Sequence, residues 1–289
     1  MEFLTTFVNG LSLGGIYAMI ALGYTMVYGI AKMLNFAHGD IIMVGGYTVL
    51  LFLFINPIVA IIAAMIFCMI LGIVVEKVAY KPLRGASPLA VLITAIGVSY
   101  LLQSLAQLVF GSAPKSMTAL QINGMLRLGN FNIAYSTIIT LAITVVIMTA
   151  LSLFIKYSKT GRAMVAVSED KGAALLMGIN VNKIIAITFA IGSALAAVAA
   201  YLMLAKAPSL SNTLGAMPGI KAFTAAVIGG IGSIPGAMLG GILLGVVESI
   251  SNSIPAVAPY TDAVEFSILI VILLVKPSGI LGKMRREKV

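Results

Sequence analysis

Three stretches without a single Asp, Glu, Lys or Arg, at residues 89–110, 133–155 and 184–205, set the terms for the rest of this chain. Each is about as long as the roughly 20 residues that an α-helix needs to cross the hydrocarbon core of a bilayer. A soluble domain of 289 residues cannot hide that many such runs. With 61% hydrophobic and 9% charged residues and a mean hydropathy of +1.12, the chain reads as an all-α, polytopic transmembrane bundle. No polar stretch is long enough to fold separately, so residues 1–289 form one membrane domain. Cys68 is the only cysteine and His38 the only histidine, which leaves no disulfide framework and no Cys- or His-based metal or redox centre.

The net charge of +9 suggests nucleic acid in a soluble protein, but here the positive-inside rule explains it better. Thirteen of the eighteen Lys and Arg fall in three segments: 76–88, 156–183 and the tail from Lys276. All three fit on the cytoplasmic side. The loops at 111–132 and 206–221 then face outside with two basic residues each. The other apolar runs are 3–31, 41–55, 57–75, with a tight Asn56-Pro57 turn before it, 222–247, and 266–275, extended back toward Ala256. Counting through them puts the N-terminus outside and the C-terminus in the cytoplasm. The count closes only if 222–247 is broken near Gly232-Ser233-Ile234-Pro235-Gly236, which makes about 8–9 crossing elements, some of half length. Met1-Glu2 opens directly into an apolar run too long for a signal-peptide core, so no cleavable signal is expected.

Backbone breaks at membrane depth are tolerated only where protein or a water-filled cavity satisfies the exposed groups, and many transporters bind substrate there. Two segments qualify. Leu34-Asn35-Phe36-Ala37-His38-Gly39-Asp40 packs an amide, an imidazole and a carboxylate between two apolar runs, with Asp40 in a good N-cap position for the next helix. Its polar residues either cap two helices in a cytoplasmic loop or belong to the translocation path or its gate. Gly229 to Ala237, continued by Gly240, Gly241 and Gly245, either packs helices tightly or aims a half-helix N-terminus at an anionic group. The residues at issue there are Gly230, Gly232, Ser233, Pro235 and Gly236.

Glu248 reads as an intramembrane acid with a function or as an interfacial residue at a helix end. Asp262 and Glu265 precede the last span and are expected at the outer surface. No tract resembles a proton relay, and no nucleophile–base or metal-ligand constellation suggests an enzyme.

The segment 161–180 carries a further signal. Ser168, Glu169 and Asp170 read as a helix start, residues 173–177 continue it, and Gly178 supplies the C-terminal cap. A short cytoplasmic helix with an apolar side either lies on the bilayer surface or inserts into a groove of a partner. With its flanks it resembles the coupling loop of ABC importer permeases. Asn35-Phe36-Ala37-His38-Gly39-Asp40, the 168–182 loop, the Gly-Ser-Ile-Pro-Gly-Ala core of 230–241 and Lys276-Pro277-Ser278-Gly279-Ile280-Leu281-Gly282 together resemble the branched-chain amino acid ABC permeases, from end to end and of the shorter, H-type subunit.

The resemblance implies a type II-like importer fold in a bacterial inner membrane. It implies a second, M-type permease, two cytoplasmic ATPase subunits that bind ATP and Mg, and a periplasmic binding protein. Ser168, Glu169, Asp170, Ala173 and Gly178 then lie on or beside the coupling helix, and Asn35, Phe36, His38, Gly39 and Asp40 along the route. The chain has no Walker A motif, since Gly282-Lys283 is followed by Met284, so no nucleotide cofactor is assigned to it. Urea, amides or other amino acids are alternative cargoes, and a stand-alone channel or secondary carrier is the alternative mechanism.

Overall fold

The computed structural model describes residues 2–122, 124–128 and 131–282. Lys283, Arg285, Arg286 and Lys288 of the basic tail lie outside the described residues. Among the described residues, seven helices are long and apolar enough to cross a membrane. They are α1 (Glu2–Ala31), α3 (Pro57–Val75, continued by π and 3-10 turns to Leu83), α4 (Pro88–Phe110), α5 (Tyr135–Tyr157), α8 (Val181–Lys206), α10 (Ile234–Ser253) and α11 (Thr261–Val275, extended back by a 3-10 turn to Ala258). Two apolar helices are shorter: α2 (His38–Phe52) and α9 (Ala216–Gly229). In the loop between α5 and α8 lie α6 (Lys159–Glu169) and α7 (Lys171–Leu176).

Several helices start where local chemistry directs. Asn56 accepts a hydrogen bond from the Ile58 N–H at 2.8 Å with Pro57 in the first turn, and Ser87 accepts from Ala90 at 3.3 Å ahead of Pro88. The tight turn at Asn56-Pro57 is therefore as read from the sequence. The run expected at 41–55 begins three residues earlier and ends at Phe52, which leaves it at 15 residues. Two small antiparallel pairings add to the helices: β1 (Lys115–Ser116) with β4 (Ser209–Leu210), and β2 (Met125–Leu128) with β3 (Phe131–Ala134).

The chain contains two halves of opposite direction. The first runs α1, an extended return at 32–37, short α2, a tight turn and α3. The second runs α8, a non-helical return at 207–215, short α9, a tight turn at 230–233 and α10. Packing repeats with the order: α1 lies along α10 as α8 lies along α3, and α2 rests on α8 as α9 rests on α1. The register proves the inversion. Lys206 reaches Ser12 at 2.9 Å while Gly192 approaches Gly23, so α1 and α8 are antiparallel. Small residues set the closest contact: a Cβ on Gly10 or Gly14 would meet the Val246 or Ile242 Cα at 2.8 or 2.7 Å.

The described residues thus hold seven long apolar helices and, after each return, one shorter apolar helix that lies against the long ones. The apolar window of α1 is 89% buried and that of α8 78%, whereas those of α3, α4, α5 and α11 are at most 28% buried. The two inverted helices α1 and α8 thus form the protein interior, and the apolar faces of the outer helices are left for lipid or another subunit. Segments 76–88, 156–180 and 276–282 gather on one side, the basic face, as the contacts Arg84–Asn182, Lys171–Ala31 and Gly230–Gly282 require.

Candidate functional site

The two short helices begin side by side inside the bundle. A Cβ on Gly39 would lie 2.6 Å from the Gly215 carbonyl oxygen, and one on Gly219 would lie 2.9 Å from the Gly39 Cα. Around this point stands a ring cluster. His38 meets Tyr24 edge-on at 4.8 Å between centroids, Tyr24 meets Phe223 at 5.8 Å, and Phe36 meets Phe223 at 5.2 Å. His38 is fully enclosed against Gly23 and Gly192, and its Nε2 has no hydrogen-bond partner. Asn35 is buried and accepts from the Tyr80 hydroxyl at 2.7 Å, which ties the break to the π turn after α3.

Asp40 is not the helix cap. The cap position is Ala37, without a side-chain bond, and Asp40 sits in the first turn. Its carboxylate instead accepts from Gln103 Nε2 of α4 at 2.8 Å. A buried carboxylate is held by the nearest strong donor, and its place in the first turn still suits the helix dipole.

The glycine-rich break lies elsewhere. It spans Gly230 to Ser233, slightly earlier than expected, and Pro235 and Gly236 already belong to α10. Ser233 caps that helix by accepting from the Gly236 N–H at 3.2 Å. Gly232 faces Gly29 near the end of α1. Gly230, at φ +108°, lies against Gly282, and the Ile280 and Leu281 N–H groups donate to the Ile228 and Gly229 carbonyls at 2.8 and 2.9 Å. The Lys276–Gly282 ending therefore caps α9. The structure thus brings Gly39 against the start of α9, while Gly230–Gly236 sits at that helix's far end, where Ile231 lines a small space with Leu34 and Asn35. The partner segment, Gly215 to Phe223, carried no signal beyond its two glycines.

A charge cluster was also missed. Lys221 Nζ lies 2.9 Å from Glu248, 2.9 Å from Asp262 and 3.4 Å from Glu265. Lys221 was expected in an outer loop and Glu265 at the outer surface, yet both are buried, Glu265 completely. The reason is that α9 starts five residues before Lys221 and carries it inside, where an ammonium requires counter-charges. Glu248 sits within α10, almost fully covered, rather than at a helix end.

In the 158–180 loop the helix start moves by two residues. Ser168 and Glu169 end α6, and Asp170 is the cap of α7, accepting from the Gly172 and Ala173 N–H groups at 2.7 and 2.9 Å. Glycine at 178 adopts φ +78°, with Gly178 donating to Leu175 and Ile179 to Ala174, so it ends the helix as the sequence implies. Leu175, Leu176 and Met177 are 63%, 90% and 82% exposed. Three consecutive apolar side chains are thus exposed outside the seven long helices.

Inverted halves whose half-length helices meet inside the bundle define a membrane transport fold. The PsaBC chain from Streptococcus pneumoniae, solved in complex with Fab, shares that fold, with a TM-score of 0.50 and 17% identity over 96% of this chain and 93% of its own. The family described as "Branched-chain amino acid transport system / permease component" matches residues 6–273, and the chain belongs to it. It is 44% identical to the high-affinity branched-chain amino acid transport system permease protein LivH of Salmonella typhimurium. It is 45% identical to BraD, the permease protein of the same description from Pseudomonas aeruginosa. Both alignments cover 100% of this chain and 98% of the relative. The chain is therefore a multi-pass permease component of a transport system.

Proposed function

We propose that this chain is the H-type membrane subunit of an ATP-driven importer of branched-chain amino acids in a bacterial inner membrane. Kinship over the full length with LivH and BraD supports the cargo. The observation that carries the coupling is the exposed Leu175-Leu176-Met177 edge of α7, fixed between the Asp170 cap and Gly178. ATP and Mg belong to two cytoplasmic ATPase subunits, whose grooves receive this edge. Asp170 and Gly178 set the length of α7, Ala173 lies on it, and Ser168 and Glu169 end the helix that carries it. A second, M-type permease completes the membrane unit, and a periplasmic binding protein delivers the substrate.

In this reading the basic face is cytoplasmic and the N-terminus lies outside. The junction of α2 and α9, with Asn35, Phe36, His38, Gly39 and Asp40, is the hinge of the gate. Gly230, Gly232, Ser233, Pro235 and Gly236 form the elbow through which movement of the basic face reaches α9. Motion of α6 and α7 is transmitted inward because Lys171 holds the Ala31 carbonyl at the end of α1. Mild-detergent purification of the tagged chain with mass spectrometry of its companions tests the assembly. Two ATPases and a second permease are expected, and a chain that runs alone after cross-linking overturns it. Uptake of labelled leucine competed by isoleucine and valine, but not by urea, tests the cargo.

A further inference from the structure

A groove of about 720 Å³ runs along the basic face between the last turns of α5 and the first turn of α10, with α6 as its third wall. Its surface is apolar at Ile155, Val165, Ile234 and Pro235 and cationic at Lys156 and Arg162. Among the described residues, no Asp or Glu lines it. Both cations are uncompensated. Among the described residues, Arg162 makes no ion pair and no side-chain hydrogen bond, and Lys156 meets only the Tyr157 ring, 5.3 Å from its centroid. A ring face attracts an ammonium but leaves its charge in place. The remaining polar side chain of the groove, Ser152, donates to the Met148 carbonyl at 2.8 Å and is thereby occupied. Leu153 and Tyr157 stand exposed on α5 beside the groove, and a tyrosine that ends an apolar span marks the headgroup level of a bilayer.

The two surfaces select the ligand. An amino-acid zwitterion is poorly served, because its ammonium would meet cations and no carboxylate. A soluble phosphate has no use for the apolar wall. A group with an anionic head and hydrocarbon below it satisfies both, and basic pockets between helices on the cytoplasmic side are suited to such heads. Arg162 supplies a planar fork that matches phosphate oxygens in pairs, and Lys156 a point charge on a stem that lies along apolar surface. We infer that this groove binds an anionic phospholipid of the inner leaflet, with its phosphate between Lys156 and Arg162 and its upper acyl chain against Ile155, Val165 and Ile234. The bound lipid ties α6, which carries α7, to the end of α5 and to the start of α10 just after the glycine break. The inference rests on the cytoplasmic placement of the basic face in the proposed reading, and not on the cargo or the ATPases.

Native mass spectrometry of the full chain, released from nanodiscs of mixed phosphatidylglycerol and phosphatidylcholine, tests it. Wild type should retain phosphatidylglycerol selectively. Lys156→Gln with Arg162→Gln should cut that retention about twenty-five-fold, at roughly fivefold per charge, while Lys156→Arg with Arg162→Lys keeps most of it. Removal of two charges elsewhere on the basic face, Lys77→Gln with Lys183→Gln, should leave retention near that of wild type. Equal retention of the two lipids by wild type overturns the proposal without any variant. An unchanged Gln pair at 156 and 162 overturns it as well, and so does an equal loss in the Lys77 and Lys183 pair, which would mean diffuse attraction to the whole face. Complete displacement by excess inorganic phosphate would identify a free-anion site and overturn the lipid assignment. None of these readouts involves transport, so failure here is distinct from failure of the importer reading.

Discussion

Gly39 and Gly215 meet backbone to backbone where α2 and α9 begin, and a Cβ on Gly215 would overlap the Gly39 carbonyl. This contact holds the two inverted halves together where the first turn of α2 meets the residue that precedes α9. Gly215→Ala should therefore lower stability by about 3 kcal/mol, the upper range for overpacking a tight contact. Gly97→Ala on α4, where nothing lies within 4 Å, should be neutral or slightly stabilising. Thermal unfolding in detergent distinguishes them, and equal midpoints would refute the close-approach argument.

Lys221 is the common partner of three acids from two helices. Lys221→Met leaves Glu265 buried without a counter-charge and should cost about 3–5 kcal/mol. Adding Glu265→Gln should recover a large part of that loss. A double-mutant cycle checks it; strictly additive effects would show that the pair is not coupled.

The hydroxyl of Tyr80 is the donor that satisfies buried Asn35. Tyr80→Phe should cost about 1–3 kcal/mol, because the amide oxygen loses its partner without access to water. Denaturant titration of the purified chain would detect this, and an unchanged midpoint would mean that water reaches the break.

The Lys276–Gly282 ending closes α9 through the Ile280 and Leu281 amides. Gly279 has φ +77°, and a Cβ there would lie 2.5 Å from the Gly230 backbone. Gly279→Ala should release this clasp and speed exchange of those two amides about tenfold or more, since a tenfold change reflects only about 1.4 kcal/mol. Hydrogen exchange followed by mass spectrometry reads it directly, and unchanged protection would remove the clasp from the account.

Much of this was legible in the residues. Asn56-Pro57, the glycine break before Pro235 and Gly178 each encode a local backbone geometry, and local geometry survives in sequence. Depth does not. Nothing in residues 38–52 says that the helix starts beside the middle of another, because that depends on Gly23, Gly192 and Gly215 clearing space from distant positions. The Lys221 cluster was hidden for the same reason: its acids stand 27, 41 and 44 positions away, and Asp262 and Glu265 alone read as surface charges while Glu248 has no visible partner nearby in sequence. Ser168 and Glu169 were misplaced by two residues because acids near a helix start and at a helix end look alike until Asp170 is seen to accept the capping bonds.

The most direct test is substrate-stimulated ATP hydrolysis by the reconstituted importer carrying Leu176→Asp, at the most exposed apolar side chain of α7. If that edge docks the ATPases, the variant inserts normally, loses its ATPase companions on purification and hydrolyses ATP at least about tenfold more slowly, the equivalent of about 1.4 kcal/mol of lost contact. Wild-type hydrolysis with the ATPases still bound would contradict the coupling role of α7.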